Sequence, residues 1–259
     1  MLTFSVITPV FNGVKYATSY VETLQRQTYV HWQAIVVDDG STDGSLQLLS
    51  YLCGQDHRFV LLSNDSKKLV RGPYQARNKG LQVAAGDFIC FLDIDDSWFP
   101  DRLELCFRTL VANPDLSLLY SAYLRIAPSS SRVVVRRSPP FISPHLLSYF
   151  INPIPMLTSC VSRRVLVGLQ FPPVHHEDYI FWYMVLRRIG PHEVFYEPSP
   201  TGSYLVHPCS VSSNKLRVVP WIWNCYLHLG YSLPAAIAAL VLWIVWHMLS
   251  QLLQLSRPR

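Results

Sequence analysis

Charge is what this sequence has least of. Only 15% of its 259 residues are Asp, Glu, Lys or Arg, against roughly 25% in typical soluble domains. None of the four occurs between Arg217 and Arg257, so the shortage is concentrated at the C-terminus. The net charge is +5, but the basic residues are dispersed and form no long stripe interleaved with aromatics. This pattern fits an anionic small-molecule or lipid partner and argues against nucleic-acid binding.

Two further absences concern the cellular compartment. No pair of the 6 cysteines has the spacing of metal ligands, which predicts reduced and mostly buried thiols of an intracellular protein. The N-terminus enters an apolar run at once, without a basic region or a long hydrophobic region, so we expect no secretory signal peptide. The folded part of the chain is therefore expected to face the cytosol.

Apolar runs alternate with helix-like stretches over the first half of the chain. The strand-like runs lie at 4–8, 34–37, 58–62 and 88–92, and the helix-like stretches at 14–27, 46–52, 71–85 and 101–112. This alternation predicts an α/β fold with a Rossmann-type, mostly parallel sheet flanked by helices. Ligands of such sheets bind beyond the carboxyl ends of the strands. Both acidic clusters of the sequence, at 38–39 and 93–96, follow such a strand.

The second acidic cluster has the chemistry of a metal site. Asp93, Asp95 and Asp96 follow a buried apolar run, and their charges repel one another unless a cation joins them. Carboxylate oxygens suit Mg²⁺ or Mn²⁺, which keep positions open for phosphate. The sequence leaves open which two of the three bind the ion. We favour Asp95 and Asp96. The competing interpretation is a solvated turn that caps a helix.

Four segments together resemble the family 2 glycosyltransferases, which have the GT-A fold. They are Ser-Val-Ile-Thr-Pro-Val-Phe-Asn at 5–12, Val-Val-Asp-Asp-Gly-Ser-Thr-Asp at 36–43, Ala-Arg-Asn-Lys-Gly-Leu at 76–81 with the run 86–96, and His-Glu-Asp-Tyr at 176–179. They span roughly 4–212. The resemblance implies inverting transfer of a sugar from a nucleotide-diphosphate sugar to a hydroxyl of a glycan or lipid-linked acceptor.

The resemblance also implies residues for the donor nucleotide. It gives Asp39 a hydrogen bond to the nucleobase and puts Thr8, Pro9 and Phe11 in the nucleotide pocket, with Asp95 near the diphosphate. The alternative for Asp39 is an Asx turn and helix cap, which its sequence context also favours. Asp43 is interpreted only as a cap.

Cations and a histidine complete the expected diphosphate site. Arg71 and Arg77 are candidates for bidentate phosphate binding, since Arg matches that geometry. Asn78 has either that role or a packing role. His207 lies in a late segment where, by resemblance, a histidine approaches the metal. The Gln-X-X-Arg-Trp motif of processive relatives is absent, which predicts transfer of one sugar per encounter.

The catalytic base is assigned by resemblance to Asp178, with Glu177 as the alternative. An inverting transfer needs a carboxylate that takes the proton of the acceptor hydroxyl. Acids at a helix N-terminus are also favoured by the helix dipole alone. His175 and His176 are expected in a loop on the acceptor side.

Two other functions are weighed against this one. A nucleotidyltransferase of similar α/β fold would need a Gly-rich phosphate loop near the N-terminus, and 9–13 does not match one. A catalytically inactive nucleotide-sugar-binding module would not need the intact acidic cluster or Asp178. The sugar, the nucleotide, the acceptor and the oligomeric state are not encoded in any pattern that we can interpret.

The chain is divided into a catalytic domain at 1–215 and an apolar segment at 216–259. Leu233–Leu255 would measure roughly 35 Å as a helix, enough for a hydrocarbon core of about 30 Å. Trp221 and Trp223 precede it like an interfacial belt, whereas His247 and the Gln residues near its end favour an interfacial helix. We expect a membrane-associating helix at the cytoplasmic face, and leave open whether it spans or lies on the membrane. A buried core or dimer helix is the alternative.

Overall fold

The computed structural model describes residues 1–64, 73–127, 132–139, 142–206 and 215–255. The strands in these ranges are β1 (Phe4–Val10), β2 (Trp32–Asp38), β3 (Phe59–Ser63), β4 (Phe88–Phe91), β5 (Ser97–Trp98), β6 (Leu118–Ala127), β7 (Arg132–Arg136), β8 (Cys160–Ser162) and β9 (Val194–Leu205). The α-helices are α1 (Ala17–Gln25), α2 (Ser45–Cys53), α3 (Pro73–Val83), α4 (Arg102–Ala112), α5 (Pro144–Leu147), α6 (Glu177–Leu186), α7 (Lys215–His228) and α8 (Leu233–Leu255).

The described strands form one sheet in the order β3-β2-β1-β4-β8-β6-β9-β5, with β7 beside β6. The strands β3, β2, β1 and β4 are parallel, as the alternation of strands and helices predicts. The second half is mixed, because β8 is antiparallel to both β4 and β6 whereas β6 and β9 run parallel. The α/β prediction is confirmed, and the parallel character belongs mainly to the N-terminal half.

Helices cover both faces of the parallel half. Along β2, Ala34 and Val36 pack into one core with α1, α2 and α4, while Ile35 and Val37 pack into the other core with α3 and α6. Successive side chains of a strand point to opposite faces. Both faces must therefore be apolar, which explains the continuous apolar runs.

A close approach positions α3 over the sheet. A Cβ added to Gly80 would lie 2.5 Å from Cγ2 of Ile7 on β1. Only glycine leaves room for the helix at this distance from the strand. The N-terminal part of α3, which carries Arg77, is thereby held above the carboxyl ends of β1 and β4.

The C-terminal helices α7 and α8 pack on the rest of the fold. Tyr226 of α7 and Trp243 of α8 share a core with Tyr179 of α6, and the Tyr226 hydroxyl donates to the carbonyl of Phe150 at 2.8 Å. The opposite side of α8 is apolar and exposed. Its exposed residues are Leu233, Ile237, Val241, Leu242, Ile244, Val245, Met248 and Leu249. Within the described residues, no helix combines the length and hydropathy that crossing a membrane requires.

The described cysteines agree with the prediction for thiols. Cys53, Cys90, Cys106, Cys160 and Cys225 are buried and unbridged. Cys209 lies outside the described residues.

Candidate active site

Two cavities meet at the carboxyl ends of β1 and β4. The larger has a volume of about 880 Å³ and the smaller about 260 Å³. Pro73, Arg77, Asp93 and Asp95 line both of them. The expected diphosphate site, which the sequence assigns to the acidic cluster and Arg77, is thus the place where the two cavities join.

The three aspartates of the cluster have different surroundings. Asp93 is half-buried and accepts a hydrogen bond from Nη2 of Arg77 at 2.9 Å. Asp95 is also half-buried. Asp96 is 6% exposed, lines only the larger cavity, and accepts a hydrogen bond from the backbone N–H of Leu205 at 3.2 Å.

Negative charge is concentrated at this cluster. Burial, together with the charges of Asp93 and Asp95, raises the pKa of Asp96 well above its usual range. A cation nearby would relieve this repulsion. Among the described residues, no three His, Cys, Asp or Glu side chains are arranged so that they could hold a metal ion. The three aspartates therefore do not converge on one point.

Arg77 joins the cluster to α6. Its Nη1 donates to Oε1 of Glu177 at 2.6 Å, and Arg77 is 5% exposed. Burial raises the pKa of Glu177 to about 7, although the charge of Arg77 acts in the opposite direction. The guanidinium expected to bind phosphate thus already binds two carboxylates.

Asp178 stands in the first turn of α6 and lines the larger cavity. Its Oδ2 accepts a hydrogen bond from Nδ2 of Asn152 at 2.8 Å. The side chain is half-buried, whereas neighbouring Glu177 is buried. Asp178 is therefore fixed in orientation and reachable from the cavity.

The expected nucleotide residues fall into two groups. Pro9 and Phe11 line the smaller cavity, and Phe11 is 51% exposed. Thr8, in contrast, is fully buried and its hydroxyl donates to the hydroxyl of Tyr20 at 2.8 Å. Thr8 lines neither cavity because its side chain points into the core that packs on α1. Its contribution is to the packing under the pocket.

The loop after β2 contains Asp38 and Asp39. Asp38 forms a turn, since its Oδ2 accepts hydrogen bonds from the N–H groups of Gly40 and Ser41, both at 3.1 Å. Asp39 is buried and accepts a hydrogen bond from Nδ2 of Asn64 at 2.8 Å. It lines neither of the two cavities, so its contact to a nucleobase stays a prediction.

Asn12 connects this loop to the loop after β1. It has a left-handed backbone with φ of 50°, and its Oδ1 accepts a hydrogen bond from the N–H of Thr42 at 2.9 Å. Asp43, predicted as a cap, instead precedes Gly44, which is the N-cap of α2, and its carboxylate accepts hydrogen bonds from the N–H groups of Ser45 and Val14, both at 3.0 Å. The two loops beside the smaller cavity are therefore tied together.

Of three other residues predicted for the diphosphate or metal site, the structure describes one. Arg71 and His207 lie outside the described residues. Asn78 has a packing role, because its side chain exchanges two hydrogen bonds with the backbone of Phe171, at 2.9 and 2.7 Å. These bonds fix α3 to the loop that leads into α6.

Several cavity residues are absent from the sequence-based site prediction, and one of them, Trp221, is predicted there only as part of an interfacial belt. They are Arg136, Arg137, Asn152, Tyr204 and Trp221. Burial, together with the charges of the three aspartates, raises the pKa of Tyr204 to about 12. These residues come from β7, β9, α7 and a loop, and only the folded chain brings them together.

Comparison with known proteins identifies the family. The model of glycosyl transferase family 2 matches residues 5–164. The chain is 31% identical over 229 residues to the Escherichia coli UDP-Glc:alpha-D-GlcNAc-diphosphoundecaprenol beta-1,3-glucosyltransferase WfgD, covering 85% of this chain and 83% of that one.

Two solved structures are similar in fold. The structure of S. aureus TarS 1-349 in complex with UDP-GlcNAc has a TM-score of 0.69 at 20% identity, and the match covers 94% of this chain and 72% of TarS. The mannosyltransferase PcManGT from Pyrobaculum calidifontis, in complex with GDP-Man and Mn²⁺, has a TM-score of 0.66 at 18% identity, with coverages of 98% and 80%. The family match spans more than half of the chain and includes the acidic cluster, and the relative matches nearly full length. The protein therefore belongs to glycosyl transferase family 2 and is a glycosyltransferase.

Proposed function

We propose that the protein transfers a sugar, with inversion, from a nucleotide-diphosphate sugar to a hydroxyl of a glycan or lipid-linked acceptor. The observation that carries this proposal is the junction of the two cavities at Asp93 and Asp95. A donor whose nucleotide lies in the smaller cavity would present its diphosphate at this junction. Its sugar would then enter the larger cavity, where Asp178 lies.

The proposed step forms one bond and breaks another. Asp178 takes the proton of the acceptor hydroxyl, and the acceptor oxygen forms a bond to the anomeric carbon. The bond from that carbon to the diphosphate oxygen breaks, and the electron pair leaves with the nucleoside diphosphate. Attack opposite to the leaving group inverts the configuration.

The surroundings of the two acids support Asp178 as the base. Glu177 is buried and its Oε1 accepts from Arg77, so a transferred proton would disrupt an ion pair. Asp178 lies half-buried in the cavity, with Asn152 holding one carboxylate oxygen. A general base must come within hydrogen-bond reach of the proton that it takes.

The acidic cluster supports a divalent cation, Mg²⁺ or Mn²⁺. Its oxygen ligands are those that hard cations prefer, and the charges of Asp93 and Asp95 add to burial in raising the pKa of Asp96. Asp95 and Asp93 at the junction would hold the ion, with the diphosphate supplying further oxygens. Bound there, the ion would neutralise the charge that develops on the leaving diphosphate. PcManGT was solved with Mn²⁺.

Two arginines support an acceptor that carries phosphate. Arg136 and Arg137, at the end of β7, line the larger cavity with Asp178. Arginine is well suited to phosphate because its planar fork matches two oxygens. The relative WfgD is named for an acceptor in which a sugar is joined to a lipid through a diphosphate.

The exposed side of α8 supports attachment to a membrane surface, which we propose is the cytoplasmic one. Ile237, Val241 and Val245 are 50%, 52% and 45% exposed, and they are spaced four residues apart, which puts them on one side of the helix. The opposite side packs against α7. Because protein covers its other side, α8 would bring this exposed apolar strip to the interface of a bilayer.

Flotation with anionic lipid vesicles tests this attachment. Val241→Glu is expected to reduce the bound fraction severalfold, because a charge at this position would enter the apolar layer. Val111→Glu is the matched control, since Val111 also lies on a helix and is 56% exposed. Equal binding of both variants, or no binding of the wild type, would refute the attachment.

A donor screen tests the proposed reaction itself. Purified protein is incubated with UDP- and GDP-sugars, with and without Mn²⁺ or Mg²⁺, and with alkyl-diphosphate-linked monosaccharides as acceptors. We expect a free nucleoside diphosphate and a glycoside of inverted configuration, both read by NMR. Formation of a nucleoside triphosphate and a sugar 1-phosphate when pyrophosphate is added would instead indicate a nucleotidyltransferase, and no turnover with any donor would refute the proposal.

A further inference from the structure

The C-terminal helix pair, α7 and α8, contributes one residue, Trp221, to the wall of the active site. It lies on α7, is partly buried, and lines the larger cavity together with Asp178. Its ring stacks on the ring of His175, with centroids 4.4 Å apart and an angle of 25° between the planes. It does not line the smaller cavity. Trp221 is thus placed away from the proposed nucleotide site.

The loop beneath this pair is held in an unusual conformation. His176 has φ of 58° and ψ of 41°, the left-handed region that residues other than glycine seldom adopt. This turn ends the loop and starts α6, so that His175 faces α7 while Asp178 faces the cavity. The thiol of Cys225, also on α7, donates to the carbonyl of His175 at 3.4 Å. Strained backbone of this kind is concentrated at functional sites.

The chemistry of the pair fits a sugar ring. One face of a pyranose presents C–H groups that pack on an aromatic ring, while its hydroxyls remain available for hydrogen bonds. Ligand cavities characteristically combine such apolar and aromatic walls with a few polar groups. Here the polar groups include Asp178, Asn152, Arg136 and Arg137.

We propose that Trp221, braced by His175, binds the sugar residue of the acceptor and places its hydroxyl at Asp178. This inference rests on the proposed transferase function and names the acceptor subsite within it. The C-terminal helix pair then has a direct part in acceptor binding. The competing explanation is that Trp221 only packs α7 against the domain, since it also contacts the core shared with α6 and α8.

Trp223 provides the control for packing. It lies on the same helix, is partly buried, and contacts the same core, but it does not line the cavity. Full-length Trp221→Leu, Trp223→Leu and Trp221→Phe are compared with the wild type. The donors are UDP- and GDP-sugars, and the probe acceptors are alkyl-diphosphate-linked N-acetylglucosamine and glucose.

Trp221→Leu is expected to raise KM for the acceptor about tenfold, and to raise it more than the KM for the donor. Trp221→Phe is expected to restore most of the acceptor affinity, because it restores an aromatic face. Trp223→Leu is expected to leave the acceptor KM within about twofold of the wild type. Thermal unfolding of each variant separates lost packing from lost binding.

The possible outcomes test the acceptor subsite and the transferase function separately. An unchanged acceptor KM in Trp221→Leu, or an equal rise in Trp223→Leu, overturns the acceptor subsite while transfer by the wild type upholds the transferase. No turnover of any donor by the wild type overturns the transferase, and the subsite with it.

Discussion

Arg77 on α3 donates to Glu177 on α6 across 2.6 Å, although 100 positions separate them in the sequence. The other terminal nitrogen of the same guanidinium binds Asp93 after β4. One buried side chain thus connects the acidic cluster to the helix that carries Asp178. It fixes the separation between the proposed diphosphate site and the proposed base, so a small movement of α6 would misplace both.

Loss of this connection is expected to be costly. Arg77→Ala would leave Glu177 buried without its partner, and breaking a buried ion pair in this way costs about 3–5 kcal/mol of unfolding free energy. Arg26→Ala is the control, since Arg26 pairs with Glu22 at side-chain exposures of 70% and 50%. An exposed pair of this kind contributes less than about 1 kcal/mol. Urea denaturation of both variants measures the difference, and similar losses would contradict the role given to Arg77.

The pKa of Glu177 predicts how stability depends on pH. In the folded protein this pKa is raised from 4.5 to about 7, so the folded state binds the proton more tightly than the unfolded state. The contribution of Glu177 to the unfolding free energy should therefore be largest at pH 4.5 and below, and it should fall as the pH rises towards 7. Asp96, whose pKa is raised as well, contributes in the same direction.

Glu177→Gln tests this dependence because it removes the titrating group. In EDTA, the fall in unfolding free energy between pH 5 and pH 7.5 is expected to be smaller in the variant, by on the order of 1–3 kcal/mol. Denaturant titrations at the two pH values give this difference. An identical fall in the wild type and the variant would show that Glu177 does not cause it.

The individual aspartates are expected to differ in metal binding. Asp95→Asn should weaken Mn²⁺ binding in the presence of nucleoside diphosphate more than tenfold, because Asp95 lies at the junction of the cavities. Asp93→Asn should weaken it as well, and should also disturb Arg77. Asp96→Asn should have a smaller effect, since its Oδ1 already accepts from Leu205. Calorimetry with Mn²⁺ ranks the three, and a dominant effect of Asp96→Asn would support the sequence-based preference for Asp95 with Asp96.

The N-terminal half of the fold can be predicted from the sequence because its signals are local. The runs that form β1, β2 and β4 are apolar on both faces, and the acids directly follow β2 and β4. The strands β6 and β9 are missed, since β6 mixes tyrosines with polar residues and β9 contains Pro198 and Pro200. Such strands depend on pairing between distant segments, which no window of sequence reveals.

The site residues, like the strands, divide into those with a local signal in the sequence and those without one. Asp93, Asp95 and Asp178 are found from the sequence because they stand in motifs at strand and helix ends. Asn152 and Trp221 reach the cavity only through packing of α6 and α7, and no local pattern distinguishes them from other loop or core residues. Arg77 is found as a charge, but its pairing with Glu177 depends on the distance between two helices.

The rate of sugar transfer by Asp178→Asn, compared with the wild type and Glu177→Gln, tests the central claim most directly. It is measured at saturating donor and acceptor with Mn²⁺ present, together with the affinity for the nucleoside diphosphate. We predict that Asp178→Asn lowers kcat by about 10²–10⁴-fold, because the proton acceptor is lost while its shape is kept. Nucleotide affinity should change little. Transfer by Asp178→Asn at the wild-type rate, or a loss confined to Glu177→Gln, would contradict the assignment of Asp178 as the base.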